Sequence, residues 1–203
     1  MEKKIITIGR QFGSGGRAIG KLVAEKFGIP FYDKELIKKI AQDSGLSHEM
    51  LNDYDEKPTN SFLYSLSLGA YTYGNSFTGI PEMPMSDKIF VIQSDTIKNI
   101  ANQGPCVIIG RCAESILKDN VDYLSVFIHA DFDYRIQRVS EYENISHDAA
   151  AELIRKTDKK RANYHNYYSE LKWGAATSYD LCINGCIGIE NAAELIVKCA
   201  EMK

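Results

Sequence analysis

Glycines at 9, 13, 15 and 16, set between an apolar run at 4–8 and an amphipathic run that begins near Arg17, narrow the folds open to this chain more than any other feature. Lys4 passes into Ile5, Ile6, Thr7 and Ile8, a short strand with no clear polar alternation. Ile19, Leu22, Val23 and Phe27 then fall on one face at helical spacing. Strand, glycine-rich loop and helix start in that order make an anion cradle. Glycines let backbone N–H groups converge, and the first helical turn leaves its own N–H groups unpaired at the positive end of the dipole. The guest that suits such a cradle is a phosphate.

The rest of the chain keeps the same alternation. Short apolar runs at 30–32, 106–109, 124–128 and 179–183 read as strands, and helical patterns at 34–43, 47–54, 86–101, 132–142, 146–168 and 190–200 separate them. Five apolar strands interleaved with helices predict a three-layer α/β/α fold around a five-stranded parallel sheet covered on both faces. A chain of 203 residues, 44% of them hydrophobic, can build this core as a single domain over 1–203. Ligands of such sheets bind beyond the carboxyl ends of the strands. The glycine loop, Asp33, Gly110-Arg111, Ala130-Asp131 and Asn184-Gly185 all fall there. The segment 58–84 breaks the pattern, with Phe62, Tyr64, Tyr71, Tyr73 and Phe77 among glycines, serines and prolines. It reads either as an aromatic flap closing on a substrate or as a packed insertion or homodimer contact.

A net charge of −3 argues against a general nucleic-acid partner. No apolar run reaches membrane-spanning length and no apolar leader precedes the first strand, so the expected setting is the cytoplasm, with no membrane partner. The five cysteines include no C-x-x-C pair, three of them sit in apolar surroundings that read as core, and no metal-ligand set is predicted. Against this mild acidity stand Arg155, Lys156, Lys159, Lys160 and Arg161, five cations in seven residues, with Arg135 and Arg138 on the preceding helix. Phosphoryl transfer needs such a surplus, because the protein chiefly positions and neutralises the moving group. A helical lid over about 144–172 would close these cations on a polyphosphate. A second reading of the loop is open: 13–18 fits G-x-G-x-x-A, with Asp33 placed to hold a ribose, as in NAD-type dinucleotide binding. Arg10, Gln11 and Phe12 intervene after Gly9, however, and this longer loop suits a P-loop better.

Taken together, IITIGRQFGSGGRAIGKLVAEKFGIPFYD, VIIGRCAESIL, VFIHADFDYRIQR, DKKRANYHNYY and YDLCIN resemble the cytidylate kinase-like branch of the P-loop nucleoside monophosphate kinases. The resemblance implies a P-loop NTPase fold, ATP as donor with Mg2+, a small-molecule nucleotide as acceptor, and an arginine-bearing lid. It puts Gly13, Ser14, Gly15, Gly16, Arg17 and Ala18 at the donor phosphates, together with Arg138, Arg155 and Asp158. Asp33, Lys34, Lys39 and Arg111 fall on the acceptor side, within or beside acceptor-binding helices and a variable insertion over about 34–103. Arg17, Arg111, Arg135 and Arg161 become the charge-neutralising catalytic set. Two departures stand out. The lysine and hydroxyl of a working P-loop are replaced by Gly16 and Ala18, leaving Arg17 as the adjacent cation and Ser14 as the nearest hydroxyl. The acids expected beside Gly110-Arg111 are replaced by Ile109 and Cys112. The expected activity is transfer of the ATP γ-phosphoryl group to a cytidylate-like acceptor, with a non-catalytic nucleotide sensor as the alternative.

Overall fold

The computed structural model describes residues 5–33, 84–119 and 121–202. Strand β1 (Ile5–Arg10) leads into helix α1 (Gly16–Phe27) and the short strand β2 (Phe31–Tyr32). Helix α2 (Met85–Gln103), strand β3 (Cys106–Ile109) and helix α3 (Ala113–Leu117) follow. Strand β4 (Tyr123–His129) is succeeded by two helices, α4 (Phe132–Glu143) and α5 (His147–Tyr168). Strand β5 (Leu181–Asn184) and helix α6 (Ile189–Met202) close the fold.

The five strands form one parallel sheet in the order β2-β3-β1-β4-β5. Its strands are apolar on both faces because both are covered. Ile6 and Ile8, with Val107, Ile109, Leu124, Val126 and Ile128, pack against Ile19 and Val23 of α1 and Ile196 of α6. Ile5, Cys106 and Ile108 point the other way, into Ile97 and Ile100 of α2 and Ala113 and Leu117 of α3. A third cluster joins α4 to α5 through Val139, Ala150 and Ile154, with Phe12 of the glycine loop packed against it. The predicted lid region is therefore seated on the loop by apolar contacts.

All five predicted strands form, but β1 runs two residues past its expected end. Gly9 pairs in register with Phe127 and Arg10 with Ile128, so Arg10 belongs to the sheet and not to the loop. Strand β5 starts two residues later than expected, because Asp180 turns its carboxylate onto Ser125, accepting from the backbone N–H and from Oγ at 2.8 Å each. Helix α3 has no counterpart in the sequence reading; at five residues it is too short to show a period. The helices expected at 34–43 and 47–54, the aromatic segment, and Lys34 and Lys39 lie outside the described residues.

Candidate phosphate-binding site

The loop leaves β1 at Arg10 and is held by its own polar atoms. The N–H of Gln11 donates to the Ile128 carbonyl at 3.0 Å, and Gln11 Oε1 accepts from the N–H of Ala130 at 3.0 Å. Ser14 Oγ donates back to the Gln11 carbonyl at 2.9 Å, closing the turn. Gly13 and Gly15 take φ of +81° and +85°, values that side chains with a Cβ rarely adopt. The first N–H of α1 with a backbone acceptor is that of Ile19, on the Gly15 carbonyl. Among the described residues, the N–H groups of Gly16, Arg17 and Ala18 meet no acceptor. Three unpaired donors at a helix start are what an anionic phosphate satisfies.

Cations surround this cradle at different depths. A Cβ placed on Gly15 would lie 4.0 Å from Arg138 Nη2, which brings that guanidinium over the loop. Arg135 lies beneath it: its Nη1 donates to Asp158 Oδ2 at 2.5 Å and to the Phe12 carbonyl at 3.3 Å. The other oxygen of Asp158 accepts from the N–H of Phe12 at 2.7 Å. Asp158 and Arg135 thus bind each other and the loop backbone. Arg161, one turn further along α5, donates to the Arg10 carbonyl at 3.2 Å and lies 5.5 Å from the Phe12 ring. Arg155 stacks on Phe132 at 4.8 Å.

Arg17 takes a different direction. Its Nη2 and Nε both reach Asp33 Oδ2, at 2.7 and 3.1 Å, and its side chain is 70% exposed. Asp33 follows β2, two strands across the sheet from β1. The two residues are brought together, and the pairing directs the Arg17 head towards the end of β2. Ser14, 1% exposed, turns its hydroxyl inward onto Gln11. It closes the turn of the loop there. Among the described residues no group of three or more His, Cys, Asp or Glu side chains is placed to hold a metal.

At the end of β3, Arg111 takes φ of +62° and Cys112 follows with +55°. Two successive non-glycine residues in the left-handed region store strain of a kind found at functional sites. Arg111 is 4% exposed and donates through Nη1 to Gln93 Oε1 at 3.5 Å, an oxygen that also lies 3.4 Å from the Tyr164 hydroxyl. Beneath it Glu114 and His165 meet at 2.6 Å, both fully buried, and tie the last turn of α5 to α3. Tyr179 stands alongside, and burial first, then the Glu114 charge, pushes its phenol well above the usual range. Between Arg10, Arg111, Arg161, Glu114, His165 and Tyr179 lies a cavity of about 20 Å³. Gln93 is not legible as a site residue, being a single polar residue in a helical stretch; Arg10, Glu114 and His165 are legible only as parts of IITIGRQFGSGG, VIIGRCAESIL and DKKRANYHNYY, which do not show that the three meet.

A parallel sheet in this strand order, with an open N–H cradle at the end of β1 and arginines converging from three helices, defines a kinase-like P-loop protein. In the dinucleotide-binding arrangement β2 lies beside β1, whereas here β3 separates them. The chain belongs to the cytidylate kinase-like family, whose model matches residues 5–185. It is similar to a cytidylate kinase of Methanococcus vannielii, 28% identical over 96% of this chain and 99% of that one. It is also similar to a crystal structure of a protein from Eubacterium ventriosum, 32% identical with a TM-score of 0.75, covering 99% of this chain and 100% of that one. A shikimate kinase from Bacteroides thetaiotaomicron shares the fold at 14% identity and a TM-score of 0.58, covering 98% and 99% of the two chains. Among the described residues no helix is long and apolar enough to cross a membrane.

Proposed function

We propose that the protein transfers the γ-phosphoryl group of ATP to a nucleoside monophosphate of the cytidylate type. The observation that carries this reading is the run of unpaired N–H groups at Gly16, Arg17 and Ala18 beneath the Arg138 guanidinium. These donors would hold the donor phosphates without moving, which is how a fixed polar site lowers the barrier for a group whose charge shifts in transit. Arg111, rigid in its strained turn, would take the acceptor phosphate, and Arg17 and Asp33 would flank the acceptor. Arg135 and Asp158 would keep α4 and α5 aligned on the loop so that Arg138 and Arg161 approach from fixed directions. No general base is needed beyond this positioning. Five free cysteines suit a reducing cytoplasm. A coupled ADP-release assay across the common nucleoside monophosphates is expected to give turnover, fastest with a pyrimidine acceptor. No turnover with any of them at high enzyme concentration overturns the activity.

One observation favours a second reading. Arg17, the cation adjacent to the empty lysine position, is held by Asp33, and the Asp158 carboxylate already sits on the Phe12 N–H. A non-catalytic nucleotide sensor would bind ATP tightly and show no ADP release in the same assay.

A further inference from the structure

We infer that Arg10 supplies the phosphate-binding cation that the loop lacks at position 16. This assignment rests on the proposed function and adds a residue to its site. Arg10 is the last residue of β1 and shares the parity of Ile6 and Ile8, so its side chain leaves the sheet on the α1 side. There it meets the start of α1. A Cβ built on Gly16 would fall 2.6 Å from Arg10 Cβ and 3.1 Å from Cγ. The Arg10 stem thus lies across the root of any side chain at 16. From there the guanidinium reaches the backbone at the end of β3, where a Cβ on Gly110 would overlap Arg10 Nη1. It faces the same cavity as Arg111 and Arg161.

A P-loop lysine starts from the first residue of the helix and reaches back over the loop to the phosphates. Arg10 starts from the strand instead, passes its stem across the same helix start and carries its guanidinium to the end of β3 beside Gly110. The two are sterically exclusive, which accounts for glycine at 16. Arg17 cannot take this part while its head is on Asp33. Arg161 steadies the stand-in, since its Nη1 donates to the Arg10 carbonyl. A guanidinium brings a planar fork where the usual loop brings an ammonium, so two phosphate oxygens can be held at once.

The test is binding of ATP, with and without Mg2+, followed by calorimetry and by the rise in thermal midpoint. Arg10→Met keeps the stem over Gly16 and removes the charge. It is expected to fold and to weaken ATP binding about ten- to a hundred-fold, the size of a lost charge-assisted hydrogen bond. Arg10→Lys is expected to stay within about five-fold of the unaltered protein if charge on this stem is what matters. Gly16→Lys alone should lower the thermal midpoint because of the clash, whereas in an Arg10→Gly background, which removes the Cβ that lies 2.6 Å from the new side chain, it should fold and regain most of the affinity. If the unaltered protein binds no ATP, the proposed function falls and this assignment with it. If it binds ATP and Arg10→Met binds equally well, or the folded double variant regains nothing, the Arg10 assignment alone is overturned.

Discussion

Asp158 illustrates how much one side chain settles in this molecule. One oxygen takes the Phe12 N–H and the other the Arg135 guanidinium, so a single carboxylate fixes the loop backbone and neutralises a buried cation. Asp158→Ala would leave Arg135, only 6% exposed, as a buried charge without its counter-ion. A loss of that kind costs about 3–5 kcal/mol, to be read as a fall in the urea midpoint. Asp158→Asn keeps an acceptor for Phe12 and should lose less. Asp33, by contrast, holds an Arg17 that is largely in solvent, where an ion pair contributes little to stability. Removing Asp33 should therefore be felt in the site and hardly in folding. At this scale the glycine loop and Arg111 were legible because glycine and arginine stand out after an apolar strand. Arg10 was not, because nothing local reveals that β4 extends the ladder by two residues and turns a loop residue into a strand residue.

At the scale of elements, α5 carries the arrangement. It begins at Ser146, whose Oγ accepts from the Ala149 N–H at 3.3 Å, and it is gripped near its middle by Asp158 and Arg161 and near its end by His165. Ser146→Ala removes the cap and should cost about 1 kcal/mol of stability, measurable by chemical denaturation. The loss should fall on the α4–α5 unit, which would show as faster amide exchange there than in the sheet. Length and period of this helix were plain in the sequence, as was its cationic run. Which cations face the loop was not, since Arg155 finds Phe132 while Arg161 finds the β1 carbonyl. A run of charges fixes a composition, and only the rotation of the packed helix decides which members meet the site.

For the whole molecule, a buried thiol and a partly buried phenol on the α2–α3 side of the sheet set a limit at high pH. Burial pushes the Cys106 thiol from 9.0 up to about 12. Burial first, then Glu114 and two further carboxylates, pushes the Tyr123 phenol from 10.0 up to about 12. Both groups keep their protons longer when folded than when unfolded. Their contribution is therefore fully present below pH 9 and is lost as pH climbs towards 12, at up to about 1.4 kcal/mol per pH unit for Cys106 and less for Tyr123, whose phenol is screened by solvent. Urea midpoints taken at pH 8 and pH 10.5 should show the decline, and Cys106→Ser should flatten part of it.

The sequence by itself determined the strand set, the parallel α/β architecture and the phosphate loop, because each rests on short-range patterns. Apolar runs, helical periods and glycine spacing are complete within twenty or so residues of chain. Tertiary structure alone decided which cations serve the loop. Asp158 reaches Phe12 across 146 residues, Arg161 reaches Arg10 across 151, and His165 meets Glu114 across 51. It also drew Arg17 away to Asp33 and laid Arg10 over Gly16. Pairings like these depend on strand order and helix rotation, which the burial of the whole core selects and which leave no local trace along the chain.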